Sequence, residues 1–297
     1  MTDSAPFSGD LGVVLNALLD AGKCISKTVV TADTGKAGTH NVYGEEQIAM
    51  DVLAERHLEE ALRETGLVKG VASEELDAVV SLGGSRFGVV YDPLDGSSLF
   101  DVNLSVGTIW GIFEGDNFVG KTPGDMVAAG FFVYGPRTTL MVSRGEGVCE
   151  YRLDPSDEWV ISKESVQVGE GKMFAPGNLR ATQHRADYLE LVNWWMKEQY
   201  TLRYSGGMVP DINSIFVKGK GIFTYPGYAP DQVDGKLRLL FECGPMAYLM
   251  EQAGGAASDG SQRILEKRID SLEQRTPIYI GSKDEVARCK EWLASPL

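Results

Sequence analysis

The chain has 297 residues, of which 28 are Lys or Arg and 42 are Asp or Glu; the net charge is −14 and apolar residues make up 43%. This composition excludes a disordered chain and describes a globular protein of two modest domains or one large layered one. The acidity excludes nucleic acid as the main partner, because a phosphate backbone demands basic patches; a small anion stays open wherever metal ions or local Lys and Arg neutralise it.

In chain order, Asp10 to Thr31 reads as an amphipathic helix, with Leu11, Val14, Leu15, Leu18, Leu19, Gly22 and Ile25 at helical spacing. Thr31 to Gly44, rich in Gly, Thr and Asp, reads as a loop. A second helix is expected from Glu45 to about Arg63, with Ile48, Val52, Leu53, Leu58 and Leu62 facing inward. Strands follow at Arg86 to Tyr91 and Val102 to Phe113. Gly107 and Gly111 in the second of these let another backbone approach closely. Further apolar strands are expected at Ala128 to Tyr134 and Thr138 to Val142. Leu153 to Gly171 is polar and turn-rich and serves as the candidate domain boundary, dividing the chain into 1–162 and 163–297. Beyond it the pattern predicts a helix near Arg185 to Gln199, strands at Gly221 to Tyr225 and Leu237 to Cys243, a helix opened by Pro245 and stopped at Gly254-Gly255, and a last helix over Asp284 to Leu293. Alternating strands and helices predict a layered α/β fold.

Cys24, Cys149, Cys243 and Cys289 lie far apart with no CxxC, and His40, His57 and His184 are scattered, so neither a disulfide framework nor a zinc site is expected. A reducing compartment fits that usage. The opening MTDSAPFSGD lacks the basic region and apolar core of a signal peptide, and no apolar run approaches a membrane span. A cytoplasmic protein with no membrane partner is the expectation.

The chemistry gathers in Asp92-Pro93-Leu94-Asp95-Gly96-Ser97-Ser98, delivered by the apolar strand FGVVY. Ligands of open α/β sheets sit at the carboxyl ends of strands. Two carboxylates three residues apart, locked by Pro93, can converge on one hard cation such as Mg²⁺ or Mn²⁺. Gly96 allows close backbone approach, while Ser97 and Ser98 add hydroxyls and N–H donors for a phosphate. A turn with a helix cap uses the same residue types, and the seven residues alone serve both readings equally. Other acids weigh on the side of chemistry. Glu74-Glu75 precedes the strand, Glu45 and Asp51 flank the start of the second helix, and Glu242 closes the apolar run LRLLF, where an unpaired acid is costly to bury. Roughly five or six such groups can hold two or three divalent ions for in-line phosphoryl displacement. Gly115 to Thr122, GDNFVGKT, fits the nucleotide-binding pattern GxxxxGK[ST], yet Pro123-Gly124 follows where that motif needs a helix, so it reads as a loop between strands.

The ordered segments GEEQIAMDVLA (44–54), SEE (73–75), DPLDGSS, SVGTIWGIF (105–113), FAPGNLRAT (174–182), YTLRYSGGMVPDIN (200–213) and GKLRLLFECGPMAYLMEQAGG (235–255) resemble the fructose-bisphosphatase and sedoheptulose-bisphosphatase superfamily over nearly the whole chain. The resemblance implies an αβαβα layered fold with two mixed β-sheets and metal-dependent hydrolysis of a sugar bisphosphate. FAPGNLRAT and YTLRYSGGMVPD look like the sedoheptulose branch, while IFTYP (222–226) and ECGPMAYLMEQAGG look closer to the fructose branch. The balance implies sedoheptulose 1,7-bisphosphate, cleaved at its 1-phosphate, with fructose 1,6-bisphosphate as the alternative substrate. By the same resemblance Glu74, Asp92, the carbonyl of Leu94, Asp95 and Glu242 would ligate two or three Mg²⁺ or Mn²⁺ ions, with Glu45 nearby. Asp51 and Glu75 would orient and deprotonate water, and Gly96, Ser97 and Ser98 would hold the reacting phosphate. Asn178, Tyr204, Met208, Tyr225 and Lys236 would line the sugar and distal phosphate, with Arg203 reaching a distal phosphate, across a subunit interface in a dimer or tetramer. Without the resemblance, Lys236 and Arg238 read as strand-edge charges, and Tyr204, Tyr225 and Tyr248 serve equally as core.

The chain also departs from its relatives. Plant chloroplast sedoheptulose enzymes carry a redox cysteine pair in the loop before GEEQ; here Thr34 and Thr39 stand at those places, so dithiol switching by that route is not expected. Animal-type fructose-bisphosphatases bind an inhibitory nucleotide near the N-terminus. Phe87 and Glu114 replace that pattern's Tyr and Arg, which predicts no tight AMP inhibition. Two other readings stay open at this stage: a related lithium-sensitive phosphatase of inositol or nucleotide phosphates, and a sugar-phosphate sensor without catalysis. GNLRAT and LRYSGGMVPD argue against the first, and the complete set of acids against the second.

Overall fold

The computed structural model describes residues 6–32, 36–40 and 46–293. Helix α1 (Gly9–Thr31) opens the described chain and is followed by a short antiparallel hairpin of β1 (Lys36–His40) and β2 (Glu46–Ile48). The predicted loop at 31–44 therefore carries a strand, which KAGTH does not advertise because it lacks both alternation and bulky β-formers. Helix α2 begins at Ala49, not Glu45, and runs to Glu64. Its buried face is Met50, Asp51, Ala54, Leu58 and Leu62, while Val52 is 45% exposed. The expectation that Val52 points inward fails because the true phase of the helix turns an acid toward the protein.

An eight-stranded sheet follows. Its strands are β3 (Val68–Ser73), β4 (Val80–Ser81), β5 (Phe87–Asp95), β6 (Val106–Glu114), β7 (Met126–Tyr134), β8 (Thr138–Ser143), β9 (Val148–Leu153) and β10 (Trp159–Val166). They lie in the order β10-β9-β8-β7-β6-β5-β3-β4, and only β3 and β5 pair in parallel. One-turn helix α3 (Ser97–Phe100) intervenes before β6, so the strand expected from Val102 starts four residues later. β10 lies inside the polar stretch 153–171: as an edge strand with an exposed run from Ile161 to Ser165, it carries no apolar signature. The GDNFVGKT segment joins antiparallel β6 to β7 and leads into a single 3₁₀ turn (Pro123–Asp125), so the phosphate-binding helix of the nucleotide motif is absent.

The second sheet is built from β11 (Met173–Pro176), β12 (Thr201–Leu202), β13 (Ile222–Tyr225), β14 (Ala256–Ser258) and β15 (Ile278–Gly281), in the order β12-β11-β13-β15-β14. β11 pairs in parallel with β12 and β13, and the remaining pairs are antiparallel. Helices α4 (Ala186–Lys197), α5 (Met208–Lys218), α6 (Gly244–Gln252) and α7 (Lys283–Trp292) complete the set.

Three apolar clusters define five layers. α1 and α2 pack Val14, Leu15, Leu18, Ala54 and Leu58 on Val89, Tyr91, Trp110 and Phe132 of the large sheet. The opposite face of that sheet, with Val90, Ile109 and Phe131, meets α5 and α6 through Ile212, Phe216, Met246 and Leu249, and these in turn meet Phe223, Ile278 and Ile280 of the small sheet. Phe174, Ile222 and Tyr279 on its far side carry α4 and α7 through Tyr188, Trp195, Val286 and Cys289. The order is αβαβα with two mixed sheets, as the sequence implies. α6 is buried at nearly every position because it lies in the middle layer.

The run Leu239–Cys243 is not a strand but a π-helical turn: Cys243 N–H donates to Arg238 O at 3.0 Å and the Gly244 amide reaches back to Leu239 O. An apolar run this short fits a buried strand or a buried helical segment equally, and here it continues directly into α6.

Candidate active site

β5 is buried at all nine positions, and its alternation sends Val89 and Tyr91 to one face and Val90 to the other. Asp92 continues the Val90 face, toward the middle layer. Asp92 Oδ1 accepts the Leu94 amide at 3.0 Å, at the point where the pairing of β5 with β6 shifts register between Asp92 and Asp95. Gly96 then takes φ +84°, the left-handed conformation that favours glycine, and starts the single turn Ser97–Phe100.

Three elements bring carboxylates to this end of β5. Glu74 follows β3, the parallel neighbour of β5, and its amide donates to Tyr91 O at 3.2 Å. Glu242 sits in the π-helical turn, whose wider winding points the side chain back, so that its Oε2 accepts the Arg238 amide at 2.6 Å. Carboxylate oxygens of Glu74, Asp92 and Glu242 all lie within 4.8 Å of one another. Asp95 stands beside them and accepts the Val209 amide at the N-terminus of α5 at 2.7 Å.

These charges are held against their own solvation. Burial, reinforced by Glu74, Asp95 and Glu242, pushes Asp92 well above the usual carboxylate range. Burial raises Glu242 to about 7, partly countered by the Arg238 amide, and raises Asp95 to about 6 against the Val209 and Met208 amides. Oxygen donors packed this closely fit a hard divalent cation, which would relieve both repulsion and desolvation.

A cavity of about 180 Å³ opens over the cluster, walled by Asp51, Glu74, Glu75, Asp92, Leu94, Asp95, Gly96, Ser97, Ser98, Tyr225, Lys236 and Glu242, together with Gly206, Gly207, Leu237 and Arg238. The first twelve are sequence-predicted site residues. Four others among the described residues do not line it. Asn178 has φ +52° and spends its amide on Pro226 O (3.0 Å) and Gln232 Oε1 (3.2 Å), pinning the loop after β13. Tyr204 is half exposed, Arg203 is exposed, and Met208 is 2% exposed, its side chain in the core. Glu45 and Thr34 lie outside the described residues, as does the side chain of Thr39.

Arg238, which reads from the sequence as a strand-edge charge, is instead 2% exposed at the start of the π-helical turn, with its Nη1 2.5 Å from Glu74 Oε1. The available signal was a cation inside the apolar run LRLLFE, four residues before an acid. Sequence reasoning missed Arg180. Burial raises Tyr204 and lifts Tyr225 to about 12, and the Arg180 charge opposes both shifts, so a cation stands within electrostatic reach of both phenols.

Acidic donors, a Gly-Ser turn, Lys236 and Tyr225 share one cavity, which can therefore hold cations together with anionic groups. The family described as "Fructose-1-6-bisphosphatase, N-terminal domain" matches residues 2–164, and "Fructose-1-6-bisphosphatase, C-terminal domain" matches residues 168–294. The chain is 47% identical over 291 residues to the class 1 fructose-1,6-bisphosphatase of Trichlorobacter lovleyi, covering 96% of this chain and 91% of the relative. It is also 47% identical over 279 residues to the chloroplastic sedoheptulose-1,7-bisphosphatase of Triticum aestivum, covering 92% and 70%. The crystal structure of Leishmania major fructose-1,6-bisphosphatase in holo form superposes with a TM-score of 0.90 at 32% identity, covering 97% of this chain and 95% of that one.

Proposed function

Because the chain belongs to the fructose-1,6-bisphosphatase family of sugar-bisphosphate phosphatases, we propose that it hydrolyses the 1-phosphate of sedoheptulose 1,7-bisphosphate, with fructose 1,6-bisphosphate as the alternative substrate. The observation that carries the reading is the convergence of Glu74, Asp92 and Glu242 in a cavity also walled by Gly96–Ser98, Lys236 and Tyr225. The sedoheptulose preference rests on FAPGNLRAT and YTLRYSGGMVPD, and Arg180 within GNLRAT supports it by adding a cation near Tyr204 and Tyr225.

Glu74, Asp92, the Leu94 carbonyl, Asp95 and Glu242 would hold Mg²⁺ or Mn²⁺, with Glu45 as a further candidate. Bound there, such ions neutralise the phosphoryl oxygens and the charge that develops on the leaving oxygen. Gly96, Ser97 and Ser98 hold the reacting phosphate through N–H and hydroxyl donors. Glu75 and Asp51 orient the attacking water and take its proton as its oxygen bonds to phosphorus and the bond to the sugar oxygen breaks. Lys236 and Tyr225 position the sugar and distal phosphate, where binding alone is required, while Tyr204 and Asn178 lie outside the cavity wall and Asn178 acts through the loop it pins. Arg203 is exposed, as a residue serving a neighbouring subunit in a dimer or tetramer would be. In this division of labour residues 1–162 supply most metal ligands and 163–297 supply the sugar wall. No described helix is long and apolar enough to cross a membrane.

The test is kcat/KM for both bisphosphates with Mg²⁺. Comparable or higher efficiency on the seven-carbon substrate supports the preference; activity on fructose 1,6-bisphosphate alone reverses it; phosphate release from neither overturns the reading.

A further inference from the structure

Glu55 lies one helical turn after Asp51 on α2, so the two acids share the face that looks toward β3 and the turn beyond it. Ser73 Oγ donates to Glu55 Oε2 at 2.5 Å, and Tyr91 OH donates to Glu55 Oε1 at 2.6 Å. With its proton committed to Glu55, the Ser73 hydroxyl turns a lone pair to the Glu75 amide, which donates to it at 3.2 Å. Ser73 is 1% exposed and Tyr91 is fully buried, so these bonds lie away from competing water. Neither Glu55 nor Ser73 walls the cavity. Burial raises Glu55 to about 7 against these two hydrogen bonds, so at pH 8 the carboxylate accepts both hydroxyl protons.

We infer that Glu55 is a positioning residue for the reaction: through Ser73 it locks the turn that presents Glu74 to the metal site and Glu75 to the attacking water. Side-chain rotation of Ser73 is the loose joint of this turn, because a serine hydroxyl with no acceptor settles in any staggered rotamer. Glu55 removes that freedom. The effect is aim, not substrate affinity, since neither Glu55 nor Ser73 walls the cavity.

The inference rests on the bisphosphatase reading, and the experiment separates the two. Full-length parent, Glu55→Ala, Ser73→Ala, the double variant and Leu58→Val are compared at pH 8 by phosphate release with Mg²⁺ and by calorimetric Mn²⁺ titration without substrate. Leu58→Val is a packing change on the buried face of the same helix that leaves the hydrogen bonds of Glu55 and Ser73 intact. Glu55→Ala and Ser73→Ala are each expected to lower kcat about tenfold and weaken Mn²⁺ about threefold, with KM for the bisphosphate within about twofold. The double variant is expected to be no worse than the weaker single, because both changes break one chain of contacts. Single variants that match the parent in kcat and Mn²⁺ affinity, losses that multiply in the double, or an equal kcat loss in Leu58→Val overturn the inference. A parent that binds Mn²⁺ and releases no phosphate overturns the bisphosphatase reading instead, and unchanged Mn²⁺ affinity in both single variants then still refutes the role of Glu55.

Discussion

The Val209 amide donates to Asp95 Oδ2 at 2.7 Å, joining the last residue of β5 to the first turn of α5 across 114 residues of chain. Asp95 thereby stands in for the N-terminal cap that α5 lacks in its own sequence, where Gly207 offers no side-chain acceptor. The same carboxylate that anchors the middle layer also walls the cavity.

The two roles separate by substitution. Asp95→Asn keeps an acceptor for Val209 but loses the charge, so its stability stays within about 1 kcal/mol of the parent while turnover falls by about two orders of magnitude or more. Asp95→Ala also strands the buried amide, at a cost of about 1–3 kcal/mol. Thermal unfolding of the metal-free proteins, read beside phosphate release, checks both.

Glu75→Gln and Asp51→Asn are expected to lower kcat by about 10²–10⁴ while Mn²⁺ and the bisphosphate still bind, as removal of a proton acceptor predicts. Stopped assays paired with calorimetric binding test this, and retained turnover in both variants refutes the assignment.

Gly107→Ala probes the approach of α5 to the large sheet. A Cβ at Gly107 would lie 2.3 Å from Phe132 O on β7 and 2.4 Å from Val209 Cγ1, and the first of these is backbone paired in the sheet. The expected loss is about 1–3 kcal/mol, together with lower activity because Val209 carries the contact to Asp95. Denaturant unfolding measures the first and phosphate release the second.

Divalent cations are expected to stabilise the protein more as pH rises. Glu242 at about 7, Asp95 at about 6 and Asp92 well above its ordinary range bind protons in the metal-free folded state that the unfolded chain releases near pH 4–5. Between about pH 4.5 and 7 the folded state therefore holds more protons, and these groups lower stability as pH climbs through that window. A cation replaces the protons, so the rise in Tm on adding Mg²⁺ is larger at pH 8 than at pH 5.5. Calorimetric scans at the two pH values check the sign.

AMP is expected to inhibit weakly. The Arg86 guanidinium is engaged by Asp10 at 3.0 Å and Glu114 at 2.8 Å and lies over the Phe87 ring, so acids occupy the cation that a phosphate would seek. Inhibition at micromolar AMP in a titrated phosphatase assay refutes this.

By itself the sequence determined whatever depends on near neighbours in the chain. The stripe of α1, the apolar run that became β5 and the turn at Gly96 are all readable because a strand's alternation and a helix's 3.6-residue period are local. Where the period was ambiguous the reading slipped: LRLLFEC passed for a strand, and Val52 for core. Tertiary structure alone decided which acids become a site. Glu74, Asp92 and Glu242 come from β3's turn, β5 and the π-helical turn, and no spacing announces that their oxygens fall within 4.8 Å. It also decided that Arg238 is buried against Glu74, and that Glu55 reaches Ser73 and Tyr91. The physical reason is that burial and mutual charge are properties of place: a carboxylate is ordinary in the chain and becomes a proton-holding, cation-seeking group only when the layers close around it.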